Sequence, residues 1–262
     1  MLREYIRHAA YTAGVPIVLV HGVPETDAIW DDFRAHITQR ETITLTPPGF
    51  GDPVPEGFGA TSDDYVAWLA AELRRIDGPI DLLGHDWGGG HVFRTVAAHP
   101  ELVRSWAIDL AGCFDPEYVW HDSARTWQTA GAGEALIARR LAMSPADRAP
   151  GYVARGMSER AAARCMAAFD ESMGRCILAL YRSAAQPKMA EWGANVASLR
   201  ARPGLVIVPS EDAYTGGEAL ARRTAERTDA QVALLTGLGH WWLCQDPQRA
   251  AAAYGSFIAA LS

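Results

Sequence analysis

Apolar residues follow two rhythms along the first 110 positions of the chain. Short runs at Val15-Pro16-Ile17-Val18-Leu19-Val20, Thr42-Ile43-Thr44-Leu45-Thr46, Ile80-Asp81-Leu82-Leu83 and Val103 to Leu110 have the length and apolar content of strands in a buried parallel sheet. Between them the spacing turns helical, at Trp30 to Gln39, Ser62 to Ile76 and about Gly88 to His99. The second of these is the clearest. Tyr65, Leu69, Leu73 and Ile76 recur on one face, Ser62 can cap the start, and Asp63 and Asp64 complement the helix dipole. Pro47-Pro48-Gly49 stops the strand before it, and Glu4 to Tyr11 can supply an antiparallel edge strand. Strand alternating with helix predicts an α/β fold: a mostly parallel sheet with helices on both faces.

The alternation stops near Cys113. From there to about Ala194 the chain is rich in Ala, Arg, Met and Trp, with helical periodicity and no strand pattern. It resumes with a strand at Gly204 to Val208, a helix at Gly217 to Arg227, a strand at Gln231 to Leu235 and a closing helix at Pro247 to Leu261. The expectation is one core built from residues 1–112 and 195–262, with residues 113–194 inserted as a helical cap.

Composition narrows the function classes. A chain of 262 residues with 49% hydrophobic content suits one domain with an insertion. Its net charge of −7 argues against a nucleic-acid surface, which needs a basic field. The N-terminal residues lack the apolar stretch of a secretory signal, and no run of 18 apolar residues suggests a membrane span. Cys113, Cys165, Cys176 and Cys244 stand far apart, as isolated cysteines do in a reducing compartment. A cytoplasmic location is expected.

The chemistry concentrates at Gly84-His85-Asp86-Trp87-Gly88-Gly89, which follows an apolar strand and opens a helix. This is the context of a nucleophile elbow, G-x-S-x-G, with Asp86 in the serine position. The turn forces its central residue into strain, so Gly84 and Gly88 must let strand and helix backbones approach. Free N–H groups at the helix start stabilise charge on the carboxylate. Downstream, Ser210-Glu211-Asp212 follows a strand end, and Gly237-Leu238-Gly239-His240 places a histidine before the last helix. The order nucleophile, acid, histidine is that of a hydrolase triad. Asp212 is favoured over Glu211 to orient His240, with Asp109 as an alternative. The backbone N–H groups of Val23, after His21-Gly22, and of Trp87 can form an oxyanion hole. His21 reads as structural. The remaining histidines (His8, His36, His85, His91, His99 and His121) lack metal-ligand spacing, so neither metal nor cofactor is expected.

These residues resemble the α/β-hydrolase superfamily, and within it the epoxide hydrolases and haloalkane dehalogenases. The resemblance is carried by His21-Gly22-Val23-Pro24-Glu25, Pro48-Gly49-Phe50-Gly51, Gly84-His85-Asp86-Trp87-Gly88-Gly89, Asp212 and Gly239-His240-Trp241. It implies the α/β-hydrolase fold and an aspartate that attacks an sp³ carbon. By resemblance, Tyr181 in Leu180-Tyr181-Arg182 is the acid that protonates an opening epoxide, with a second tyrosine sought at Tyr118 or Tyr152. A dehalogenase would instead hold the halide with Trp87 and a cap tryptophan, and Trp120, Trp127 and Trp192 are the candidates for the substrate pocket. The implied reaction is formation of an alkyl ester on Asp86, hydrolysed by water that His240 activates. A small apolar organic substrate is expected, giving a vicinal diol or, in the alternative, an alcohol and halide. A non-catalytic ligand-binding protein on the same fold is the remaining alternative.

Overall fold

The computed structural model describes residues 14–261. The edge strand expected at Glu4 to Tyr11 lies outside them. Six parallel strands form the sheet among the described residues: β1 (Ile17–Val20), β2 (Thr42–Leu45), β3 (Asp81–Gly84), β4 (Ser105–Ile108), β5 (Gly204–Pro209) and β6 (Gln231–Leu235), in the order β2-β1-β3-β4-β5-β6. Parallel neighbours need crossovers, and the helices supply them: α1 (Asp31–Arg34), α2 (Ser62–Leu73), α3 (Trp87–Ala98), six helices between β4 and β5, α10 (Gly217–Thr228), α11 (Trp242–Gln245) and α12 (Pro247–Ala259). The six are α4 (Asp122–Gln128), α5 (Ala132–Leu141), α6 (Pro145–Val153), α7 (Glu159–Ala168), α8 (Glu171–Ser183) and α9 (Lys188–Ala194).

The unbroken apolar strand sequences follow from burial on both faces. Val18, Val20, Leu82, Trp106, Ile108, Val206 and Val208 enter one core, with α2, α3 and α10. The alternate residues Ile17, Leu19, Leu83, Ala107, Leu205 and Ile207 enter a second core, with α1 and α12. The helical insertion joins both: Trp127, Ile137 and Leu180 pack in the first, and Tyr152, Cys165 and Met166 in the second. It therefore contributes to the cores on both faces of the sheet.

Two local expectations are corrected. The helix expected at Trp30 to Gln39 is only the single turn of α1 plus a short 3-10 turn at Asp27–Trp30. Trp30 and Phe33 are its fully buried anchors, and beyond Arg34 the chain must turn to reach β2. The cap of α2 is Thr61 rather than Ser62. Its hydroxyl accepts from the Asp64 amide while the Asp64 carboxylate accepts from the Thr61 amide, a reciprocal capping box.

Candidate active site

Val20, Gly84, Ile108 and Val206 lie side by side in one register row. The loops that leave β1, β3, β4, β5 and β6 just beyond this row all open on the same edge. The chain passes from β1 outward to β2 and then back across to β3, so strand order reverses between β1 and β3. In open parallel sheets that crevice is where ligands bind. Asp86 sits there, at the turn from β3 into α3.

Its backbone has φ 50° and ψ −128°, a conformation costing a non-glycine residue about 1–3 kcal/mol. The neighbours explain how the turn persists. A Cβ at Gly84 would meet the backbone of Gly88, and one at Gly88 would strike the carbonyls of Val20 and His21. Only glycine allows strand and helix to approach this closely. The Asp86 amide donates to Asp109 Oδ1 at 2.8 Å, which fixes the turn from below. Asp86 Oδ1 accepts from the Val23 amide at 2.8 Å, and the Trp87 amide is close enough to act weakly to lower the pKa of the carboxyl. Of the two sequence-predicted oxyanion donors, Val23 therefore already holds an Asp86 oxygen, and Trp87 lies beside the carboxylate.

His240 Nε2 lies 3.7 Å from Asp86 Oδ2, and Nδ1 lies 2.9 Å from Asp212 Oδ2. Asp212 is thus the carboxylate that orients the histidine. Its Oδ1 accepts from the Tyr214 amide at 2.7 Å, which holds the loop after β5. Burial acts to lower the His240 pKa, but the Asp212 carboxylate outweighs it and lifts it to about 9. Burial raises the Asp86 carboxyl to about 6, against the attraction of His240.

Asp109, the alternative orienting group, has other work. Its Oδ2 lies 2.5 Å from His85 Nδ1 and accepts from Trp242 Nε1 at 2.6 Å. On the other side of the ring, His85 Nε2 is 3.2 Å from Glu25 Oε1, which accepts from Trp241 Nε1 at 2.6 Å. Glu25 Oε2 accepts from the Gly22 amide at 2.9 Å. Burial alone would strip the proton from His85; the flanking Asp109 and Glu25 carboxylates outweigh it and hold the ring as an imidazolium. Glu25, His85 and His240 come within metal-ligand reach of one another. Both His85 nitrogens, however, face carboxylates, so the imidazolium itself supplies the cation that Glu25 and Asp109 require.

Above these groups lies a cavity of about 60 Å³ lined by Val23, Asp86, Trp127, Tyr152, Tyr181 and His240, with His121, Arg140 and Arg155 also in its wall. Tyr181 is buried, its ring edge-on to Trp87 at 5.2 Å, and the Trp87 side chain acts to lower its pKa. Burial and then the nearby Asp86 charge push the Tyr181 pKa well up, so the phenol keeps its proton. His121 caps α4 through Nδ1, and burial together with His240 lowers its pKa to about 4, leaving a neutral ring. The indole N–H of Trp127 is buried without a partner.

A model of the alpha/beta hydrolase family matches residues 17–253. The chain belongs to the alpha/beta hydrolase family. This hydrolase is 27% identical over 229 residues to the 2-(acetamidomethylene)succinate hydrolase of Mesorhizobium japonicum, covering 77% of this chain and 82% of that protein. The crystal structure of an E-2-(acetamidomethylene)succinate hydrolase superposes with a TM-score of 0.70 at 19% identity, over 95% of this chain and 93% of that one. A loop variant of the haloalkane dehalogenase DbeA from Bradyrhizobium elkanii gives 0.69 at 22% identity, over 95% and 92%. At these identities the structural likeness speaks for the fold.

The hydrolase brings Asp86, His240, Asp212, Val23, Trp87, Tyr181 and Trp127 together at one site. It does not bring Trp120 and Trp192 to the cavity wall. Trp120 stacks on Trp87, with ring centres 6.0 Å apart, behind Tyr181. Trp192 lies under the guanidinium of Arg94 at 3.8 Å, at the junction of α3 and α9. Of the two further tyrosines, Tyr118 donates to the Tyr214 carbonyl at 2.7 Å, while Tyr152 reaches the cavity. Sequence reasoning missed Glu25, His85 and Asp109 as a unit, and it missed Arg140 and Arg155. Glu25 was visible in the His-Gly-Val-Pro-Glu segment, but its partners are 60 and 216 residues away. Neither arginine carried a local signal. Among the described residues no helix is long and apolar enough to cross a membrane.

Proposed function

We propose that this hydrolase uses Asp86 as a nucleophile toward an sp³ carbon, and that its substrate is a small epoxide opened to a vicinal diol. The observation that carries the reading is the division of labour between the two Asp86 oxygens. Oδ1 sits on the Val23 amide, so it is the oxygen that will bear negative charge in a tetrahedral intermediate. Oδ2 is the nearer to His240 and is the oxygen offered for attack. On this reading residues 113–194 act as the cap over a core of residues 1–112 and 195–262, and no metal or cofactor takes part.

In the first step the Asp86 Oδ2–carbon bond forms as the ring carbon–oxygen bond breaks. Tyr181 gives its proton to the departing oxygen. Alkylation removes the Asp86 charge that held the Tyr181 pKa up, and the Trp87 side chain then stabilises the phenolate. The same loss of charge removes one of the attractions that keep His240 protonated and lowers its pKa. In the second step His240, held by Asp212, takes a proton from water, and the hydroxide adds to the Asp86 carboxyl carbon. Collapse expels the diol with one proton, and the other returns to Tyr181. A serine at the elbow would form an ether at such a carbon, which this route cannot hydrolyse. That is a physical reason for a carboxylate in the serine position.

A second reading, dehalogenation, is favoured by one specific observation: the unpartnered indole N–H of Trp127 in the cavity wall, a donor suited to a halide. One experiment separates the two. His240→Gln blocks the second step, so incubation with short epoxides and with matched haloalkanes, followed by intact-mass and peptide mass spectrometry, is expected to trap an ester on Asp86 with the epoxides. Tyr181→Phe is expected to reduce epoxide opening by 10²- to 10⁴-fold, the usual contribution of general acid catalysis. Turnover by the parent protein without an adduct in the His240 variant would overturn the covalent reading, and adducts from haloalkanes alone would replace the epoxide by a halide.

A further inference from the structure

Many arginines in this acidic chain pair with carboxylates. Arg40 and Arg104 bind Asp81, Arg164 binds Asp31, and Arg223 binds Asp115. Arg140 and Arg155 do not, and both line the cavity. Among the described residues neither forms an ion pair. Arg140, half-buried at the end of α5, donates to the Tyr152 hydroxyl at 3.2 Å and lies 5.2 Å over the Trp127 ring. Arg155, exposed just after α6, lies 4.9 Å over the ring of the same Tyr152. Two guanidinium groups thus flank one buried tyrosine with no counter-ion between them.

A second cavity of about 150 Å³ continues from this point, sharing Arg140, Tyr152 and Arg155 and adding Arg148, Met166 and Phe169. Arg148 is spent internally, donating to the carbonyls of Arg140 at 3.1 Å and Met166 at 2.9 Å. It fixes the end of α5 and so the place from which Arg140 projects. Among the described residues, Asp86 is the only carboxylate in the wall of either cavity. Guanidinium groups match carboxylates through paired, charge-assisted hydrogen bonds, and stacking on aromatic rings holds the fork in place beforehand.

We propose that Arg140 and Arg155 bind the carboxylate of the substrate, so that this hydrolase acts on short-chain organic acids rather than on wholly apolar molecules. The apolar part of the substrate lies against Trp127 and Tyr181, and the acid group is held at the arginines. This arrangement also offsets the repulsion that a negative substrate meets from Asp86. The small inner cavity sets the size, a chain of a few carbons. Only the position of the reacting carbon rests on the reading of Asp86 as nucleophile.

Unreactive probes keep the two readings apart. Butanoate and butanamide have nearly the same shape and differ in charge, and neither can alkylate Asp86. Calorimetric titration of the full chain is expected to give at least tenfold tighter binding of butanoate. Arg155→Gln and Arg140→Gln are each expected to weaken butanoate about ten- to hundredfold, the range for hydrogen bonds to charged groups, and to leave butanamide unchanged. Arg155 is exposed and its side chain makes no hydrogen bond among the described residues, so its replacement tests the site without disturbing the fold; unchanged thermal melts check this. Equal binding of acid and amide, butanoate binding that survives both replacements, or no saturable binding of butanoate overturns the proposal. The adduct experiment is unaffected by any of these results.

Discussion

Asp86 and His240 face opposite demands, and their surroundings meet them differently. A nucleophilic carboxylate must be ionised when substrate arrives. Burial works against this and lifts Asp86 to about 6, so the ionised fraction falls tenfold for each pH unit below that value. His240 stands at about 9 in the free protein, lifted chiefly by Asp212, and ester formation on Asp86 removes a smaller attraction and lowers that value. The pH dependence of kcat/KM for the alkylation step is therefore expected to show an acid limb near pH 6. Stopped-flow measurement of adduct formation across pH 4 to 10 checks this, and an acid limb near 4, the ordinary carboxylate value, would count against a buried Asp86 nucleophile. Tyr181 adds a related point at the same scale. Its proton is held first by burial and then by Asp86, so ester formation removes the second of these influences as the proton is needed.

Glycine spacing decides what each element can bring to the site, and not all the glycines act alike. At Gly84 and Gly88 an added Cβ would meet backbone, so a side chain there disrupts strand and helix packing itself. At Gly22 an added Cβ would instead meet the Asp86 side chain, at Oδ1, Cβ and Cγ. Gly22→Ala is accordingly expected to leave the sheet intact while pushing the carboxylate off the Val23 amide. Loss of one oxyanion donor typically costs 10²- to 10³-fold in kcat, and that is the expected fall here, measured beside a circular dichroism melt. Gly88→Ala, in contrast, is expected to reduce the yield of folded protein. The element scale also marks how far the sequence could be read. Strand-and-helix alternation, the glycines of the elbow and the order Asp86, Asp212, His240 are local patterns, and the structure assembles all three residues. The cap of α2 shifted by one residue because Thr61 and Ser62 are equivalent in chemistry and only the Asp64 geometry separates them. The cap pocket was less legible. Arg140 and Arg155 come from the ends of two ordinary-looking helices, and Trp192 looks like a pocket tryptophan until Arg94 is seen above it. Roles set by long-range docking leave little trace in local spacing.

The whole active edge of the sheet is tied together by the buried set of Glu25, His85 and Asp109. Glu25 belongs to the loop after β1, His85 to the turn after β3, Asp109 to the end of β4, and the indoles of Trp241 and Trp242 reach in from the segment following His240. A buried ion set of this kind contributes through complete pairing, and removing one member leaves the others uncompensated. Burial would raise the Glu25 pKa, but His85 outweighs it and depresses the group to about 2 from an ordinary 4.5. A depressed carboxylate stabilises the fold above its unfolded pKa, and this contribution is lost as pH falls through the folded value. The shift corresponds to a stabilisation on the order of 3 kcal/mol at neutral pH. Glu25→Gln is therefore expected to lower Tm by roughly 6–12 °C at pH 7 for a chain of this size. The gap between variant and parent should narrow as pH drops from 4.5 toward 2, where the parent loses the same charge. Thermal unfolding of both proteins at pH 7 and at pH 3 checks the sign. An unchanged Tm at pH 7, or a gap that widens in acid, would show that the Glu25 charge does not hold this edge of the sheet together. The expected pattern would make Glu25 the link through which the Gly22–Val23 loop and the Trp241 segment keep Asp86 and His240 in register.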